Sequence, residues 1–143
     1  MATQSHPAPH RHRVSSSEML FAVWGAGTAW IVQLIVDYAL AAHRCYPADM
    51  PVISTGVPGG WSYPVLLALN LFAILTAVAA TFVAYRIWHR TKDEHGGSTH
   101  HLLTAGEGRT RFLAMCGQLA GLGFLVAILF DTVAIYMMPR CFG

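Results

Sequence analysis

The sequence predicts an all-α membrane protein with three transmembrane helices. Of its 143 residues, 55% are hydrophobic and only 11% are charged, whereas about 25% are charged in an ordinary soluble domain. The apolar residues fall into three runs, 19–42, 65–85 and 112–138, and none of these runs contains Lys or Arg. Each run supplies the roughly 20 residues that a helix needs to cross a bilayer.

The first helix is predicted over residues 18–42, after a tail at 1–17. The tail mixes Ser, Pro and His without an apolar period, so we expect it to be flexible. Ser17 suits the position that caps the first helix, and Glu18 suits its positive end.

A signal peptide is the alternative for this first segment, because Arg11 and Arg13 precede an apolar run. The run is longer than the about 7–15 residues of a signal core. It also contains Gln33 and Asp37. We therefore expect a transmembrane helix.

The rest of the chain divides into two loops, two more helices and a short tail. The loop at 43–62 holds three prolines and three glycines, which is incompatible with a helix. A second helix is predicted at 63–88. The polar, glycine-broken loop at 89–110 leads to a third helix at 111–138, and the chain ends with a tail at 139–143.

The positions of the basic residues predict the orientation. Seven of the nine Lys and Arg residues lie in the N-terminal tail or around the second loop, whereas Arg44 and Arg140 flank the other ends of the helices. By the positive-inside rule the N-terminus and second loop are cytoplasmic, and the first loop and C-terminus are periplasmic. No basic surface indicates binding to nucleic acid.

Small residues at helical spacing predict where the helices pack. Helices in lipid associate through small side chains that allow close approach. The candidates on the second and third helices are Ala73, Ala77, Ala84, Gly117 and Gly121.

Five strongly polar residues lie within the apolar runs and are candidates for function by default. They are Gln33, Asp37, Asn70, Gln118 and Asp131. Two interpretations of the carboxylates are open: structural contacts near the outer surface, or proton transfer. We expect structural contacts, because a proton path also needs polar relays through the inner half of the bilayer. Polar groups on several helix faces also indicate that the chain has protein neighbours.

The cysteines and histidines provide little for a metal site. Cys45 and Cys141 follow the first and third helices on the same outer side, so we expect a disulfide between them. Cys116 is expected to be a small buried residue. No histidine lies within an apolar run, so the chain offers no paired haem ligands in the membrane, and we expect it to bind no metal.

The segment from Gly106 to Arg111 is expected to fix the start of the third helix. Its glycines permit a tight turn, and Arg109 and Arg111 suit lipid phosphates or an acidic partner. Anchoring to the cytoplasmic surface and contact with a partner remain equally open.

A resemblance extends across all three predicted helices. It is carried by Trp30, Gln33, Tyr38 and Cys45, by the run Gly-Glu-Gly-Arg-Thr-Arg-Phe-Leu-Ala at 106–114, and by Pro-Arg-Cys at 139–141. These motifs resemble those of small uncharacterised bacterial membrane proteins that are encoded beside haem-copper (cytochrome c) oxidase genes.

The resemblance implies association with a respiratory terminal oxidase in the bacterial inner membrane. It supplies no catalytic residues, so we expect a non-catalytic accessory subunit that contacts membrane subunits and lipids. Haem and copper would then belong to the partner. The alternative is an assembly factor or a small carrier that delivers copper or haem. A carrier needs clustered ligands, and the outer side offers only His43, Cys45, Met50 and Cys141.

Overall fold

The computed structural model describes residues 14–45, 62–91 and 109–137, and these residues contain three α-helices and no strand. The helices are α1 (Ser16–Cys45), α2 (Ser62–Arg90) and α3 (Arg109–Met137). Each is long and apolar enough to cross a membrane. The predicted all-α class with three membrane-spanning helices is therefore confirmed, whereas the orientation of the termini stays a prediction.

Hydrogen bonds of Ser15 and Thr91 mark the start of α1 and the end of α2. The backbone N–H of Met19 donates to the carbonyl of Ser15 at 3.1 Å, which puts Ser15 at the N-cap. The prediction that Ser17 caps the helix was wrong; its hydroxyl lies 2.8 Å from that of Ser15. Beyond α2, the buried hydroxyl of Thr91 donates to the carbonyl of Ile87 at 3.0 Å.

One seam of α2 faces the other two helices along its whole length. Its buried residues recur at alternating steps of four and three, the 3.5-residue repeat of helices that pack side by side. They are Leu66, Asn70, Ala73, Ala77, Ala80, Ala84, Ile87 and Thr91. Four are alanines, so neighbouring backbones approach this part of α2 closely.

Helices α2 and α3 are antiparallel and touch through glycines of α3. A Cβ atom added to Gly117 would lie 3.6 Å from Cβ of Ala84, and one added to Gly121 would collide with the hydroxyl of Thr81. Later residues of α3 therefore meet earlier residues of α2. These glycines are predicted packing residues, and both are buried.

Helices α1 and α3 run parallel, as the first and third of three successive crossings require. Gly117 packs against the backbone of Ala22, and a Cβ on Gly27 would meet the ring of Phe124 at 3.1 Å. Phe124 also contacts the indole ring of Trp30, with ring centroids 5.5 Å apart. Each helix thus packs against both others.

The outer faces of the bundle are apolar. Phe72, Leu119 and Phe130 are among many large hydrophobic side chains that are more than half exposed, which is the arrangement that lipid or a partner helix would cover. Cys116 is also exposed. The expectation that it is buried was wrong, because a small apolar residue in a membrane helix is equally compatible with a lipid-facing position.

We predict that Gly117→Ala destabilises the bundle, whereas Gly123→Ala does not. An alanine Cβ at 117 would lie 2.8 Å from the carbonyl oxygen of Ala22, and nothing lies within 4 Å of one at 123. Overpacking of this kind costs about 1–3 kcal/mol. Both changes carry the same gain in helix propensity. Reversible unfolding in mixed micelles measures the difference, and equal stability of the two variants would contradict the close approach of α1 and α3.

Candidate functional site

A buried asparagine joins α1 to α2 near the end of the bundle where α1 finishes. Asn70 is 2% exposed. Its Oδ1 accepts a hydrogen bond from Nε2 of Gln33 at 2.7 Å. Its Nδ2 donates to the backbone carbonyl of Leu66 at 2.9 Å and to the Asp37 carboxylate at 3.2 and 3.4 Å. Two side chains of α1 are therefore fixed to a single residue of α2.

The third helix reaches the same asparagine through Thr132. Its hydroxyl oxygen lies 2.8 Å from Oδ1 of Asn70 and 2.7 Å from the carbonyl oxygen of Ile128. Threonine in a helix commonly bonds to the carbonyl four residues earlier, and this bond holds the hydroxyl toward the interior. All three helices thus meet at Asn70.

A further cross-helix hydrogen bond involves the other intramembrane carboxylate. The indole Nε1 of Trp30 donates to Oδ2 of Asp131 at 3.0 Å. The ring contact between Trp30 and Phe124 lies beside this bond, and Gly27 leaves room for the Phe124 ring. Asp131 is therefore held against α1, next to the Thr132 contact.

The structure brings together four of the five polar residues that the sequence singles out. Gln33, Asp37 and Asn70 are directly hydrogen-bonded, and Asp131 lies beside them through its neighbour Thr132. These residues and Thr132, together with Trp30, are called the polar cluster below. Gln118 is half-buried on another side of α3. The sequence argument that polar faces require protein neighbours consequently rests on Gln118, because the other four residues bond within the chain.

The predicted packing residues lie in the helix seams. Ala73, Ala77 and Ala84 are at most 2% exposed, and Gly117 and Gly121 are buried. The residues of these interfaces that the sequence reasoning missed include Ala22, Ala26, Ala80, Ala114 and Thr132. The 3.5-residue repeat through Ala77 and Ala84 was a signal for Ala80, whereas no pattern singled out Thr132.

Several predicted residues lie wholly or partly outside the described part of the chain. Cys141 and residues 106–108 are not described, nor are the side chains of Cys45 and Arg109, so the disulfide stays a prediction. Arg111 is described. Its guanidinium lies 5.8 Å from the ring centroid of Trp88, which is within the range of a cation–π contact and ties the start of α3 to the end of α2.

Comparison with known proteins found no matching family model, no matching curated protein and no matching solved structure. Within residues 14–45, 62–91 and 109–137, no group of three or more His, Cys, Asp or Glu side chains is placed to hold a metal ion. The described residues form a bundle of three helices, each long and apolar enough to cross a membrane, and a polar cluster joins the three helices by hydrogen bonds.

The polar cluster is placed close to one end of the bundle. Asp37 lies eight residues before Cys45, the last residue of α1, or about 12 Å along the helix axis. Asp131 lies six residues before Met137, the last residue of α3. Both carboxylates are half-buried. The cluster therefore locks the three helices together near that end of the bundle.

We predict that Thr132→Val destabilises the bundle and that Thr76→Val does not. Each hydroxyl bonds to the carbonyl four residues earlier in its own helix, at 2.7 Å for Thr132 and 2.8 Å for Thr76. Only Thr132 also contacts another helix. Because hydrogen bonds between membrane helices average about 0.6 kcal/mol with a maximum of about 1.7, we expect a loss in that range for Thr132→Val. Unfolding free energies in mixed micelles test this, and equal losses would mean that the Asn70 contact adds nothing.

Proposed function

We propose that this chain is a non-catalytic accessory subunit of a respiratory complex in the bacterial inner membrane, namely a haem-copper terminal oxidase. It stabilises the complex by packing its helices against membrane-spanning subunits. Haem and copper belong to the partner, and this chain holds neither. Its N-terminus faces the cytoplasm and its C-terminus the periplasm, as the distribution of basic residues indicates.

The single observation that carries this proposal is the way the polar cluster is bonded. Gln33, Asp37 and Asn70 donate to or accept from one another, and Asp131 is bonded to Trp30. Their hydrogen bonds run between helices of one chain. Side chains that are hydrogen-bonded between helices hold those helices in a fixed arrangement, and a subunit that acts by packing against others requires such an arrangement.

A groove on the outer surface between α1 and α2 supports a docking role. Its volume is about 470 Å³. Bulky apolar side chains form its walls, and small or hydroxyl-bearing residues lie between them. Phe21, Trp24 and Phe72 are among the bulky residues, and Gly25, Thr28 and Thr76 are among the small or hydroxyl-bearing ones. Small residues at a helix surface permit close approach by another helix, so the groove suits a membrane helix of the partner.

The choice of an oxidase as the partner rests on the sequence resemblance. Trp30 and Gln33 belong to the motifs of that resemblance, and both are hydrogen-bonded within the polar cluster. Those two residues therefore have a structural role in this chain. An assembly factor would share such a bundle, and only the identity of the lasting partner distinguishes the two functions.

We predict that mild-detergent purification through a tag on this chain recovers oxidase subunits in stoichiometric amounts. Mass spectrometry identifies the partners, and a haem spectrum of the same sample reports whether the oxidase core is present. Recovery of the chain alone, or only with maturation proteins, would contradict the subunit proposal and favour the assembly factor.

A pair of variants tests whether the groove is the docking face. Thr28→Phe fills the groove between α1 and α2, whereas Val126→Phe adds the same ring to an exposed position on α3. If the groove binds the partner, Thr28→Phe alone lowers recovery of the partner subunits. A loss of about 1.4 kcal/mol in binding free energy would lower the association constant about tenfold. Equal recovery with both variants would show that the partner binds elsewhere.

A further inference from the structure

Gln118 is a strongly polar residue of the membrane-spanning helices that lies outside the polar cluster. Its side chain is half-buried on α3, and within residues 14–45, 62–91 and 109–137 no group is hydrogen-bonded to its amide. It lies eight residues after Thr110, the start of the apolar span of α3, or about 12 Å along the helix axis. The interfacial layers of a bilayer are each only about 5–8 Å thick. When the span crosses a bilayer, the amide is therefore inside the hydrocarbon core, where an unpaired polar group is costly.

Gln118 lies at the outer edge of the interface between α2 and α3. Residues seven positions apart on a helix share nearly the same face, because seven residues make almost two turns. Arg111, seven residues earlier, lies over the ring of Trp88 on α2. Thr132, fourteen residues later, contacts Asn70 on α2. Gln118 is therefore on the α2 side of α3, and its partial exposure places it next to the outer surface.

Gln118 belongs to a stripe of large side chains along this edge of α3, called the Gln118 stripe below. Its members recur at alternating steps of three and four, and they are Met115, Gln118, Leu122, Leu125 and Leu129. Met115, Leu122 and Leu129 are 46–49% exposed, so the other helices of the chain leave much of the stripe uncovered. This 3.5-residue repeat is that of helices that pack side by side, and one polar residue within such a seam sets the register and the number of helices. The stripe therefore suits one further helix from outside the chain.

A second copy of this chain supplies a matching group at the matching depth. All copies insert with the same orientation, because the same distribution of basic residues orients each of them. The two-fold axis between two such copies runs along the membrane normal, so identical residues lie at identical depth. A glutamine amide both donates and accepts hydrogen bonds. Two Gln118 side chains that face each other can therefore form a reciprocal pair, whereas a foreign helix would need a polar group at just this depth.

We propose that two copies of this chain form a dimer along the Gln118 stripe, with the two Gln118 amides hydrogen-bonded to each other across the two-fold axis. The stripe lies beside the interface of α2 with α3. The groove assigned above to an oxidase helix lies between α1 and α2. The two surfaces are separate, so the dimer leaves the groove open and does not depend on the proposed oxidase partner.

Energy transfer between labelled copies in liposomes tests the dimer. The full chain is purified alone, so that only copies of itself are available, and donor and acceptor fluorophores are attached at the N-terminus. Dilution with lipid then gives the association constant. We expect Gln118→Leu to lower this constant about tenfold, or about 1.4 kcal/mol, which is close to two hydrogen bonds between membrane helices at about 0.6 kcal/mol each. An unchanged chain that stays monomeric at every protein-to-lipid ratio, or a Gln118→Leu variant that associates equally well, would overturn the proposal.

A matched variant separates the Gln118 stripe from the rest of the surface. Thr28→Leu also replaces an exposed polar side chain by leucine, but in the groove between α1 and α2, so it should associate like the unchanged chain. Equal weakening by Thr28→Leu and Gln118→Leu would contradict the proposal, because association would then not depend on the stripe.

Oxidative cross-linking locates the interface in a chain that keeps Gln118. Leu122→Cys places a thiol on the stripe, whereas the native Cys116 is exposed and points about 160° around the helix from Gln118. We expect Leu122→Cys to form more cross-linked dimer than the unchanged chain, which carries the same native cysteines. No additional cross-linking would overturn the proposal, and this comparison decides the question even if Gln118→Leu fails to fold.

Discussion

The structure depends on one constraint, that polar side chains inside a membrane must find their hydrogen-bond partners within protein. The hydrocarbon interior offers no water, so an unpaired amide or carboxyl there is costly. Asn70 meets this requirement by bonding to α1 through Gln33 and Asp37 while Thr132 of α3 lies against its oxygen. Sliding or rotating any one helix would break these contacts. The cluster therefore fixes the register of all three helices.

Close packing of small residues makes this arrangement possible. At the end of the bundle opposite the cluster, Gly117 lies against the backbone of Ala22, with Ala84 and Ala114 buried beside them. Between that end and the cluster, Ala73, Ala77 and Ala80 of α2 form a second buried group with Ala26 of α1 and Ile128 of α3. The seams bring the helices near one another with little preference for register, since alanines along a helix offer similar surfaces. Directional hydrogen bonds supply the preference that the seams lack.

The fold class could be predicted because it depends on the length and composition of three runs, and both properties are plain in the sequence. The polar cluster could be predicted only in part. Gln33, Asp37, Asn70 and Asp131 stand out individually, but their meeting depends on how each helix is rotated about its axis. In a soluble helix the contrast between apolar and polar faces indicates that rotation. Here nearly every face is apolar, and the same ambiguity explains the error over Cys116.

Coupling between Gln33 and Asn70 tests the central claim most directly. In a double-mutant cycle, the unfolding free energies of Gln33→Leu, Asn70→Leu and the double variant are compared with that of the unchanged chain. If their 2.7 Å hydrogen bond helps to fix the helix register, the two losses are not additive. The coupling should then be about 0.6 kcal/mol and at most about 1.7, the average and the maximum found for hydrogen bonds between membrane helices. Additive losses would contradict the account, because the two residues would then contribute independently of each other.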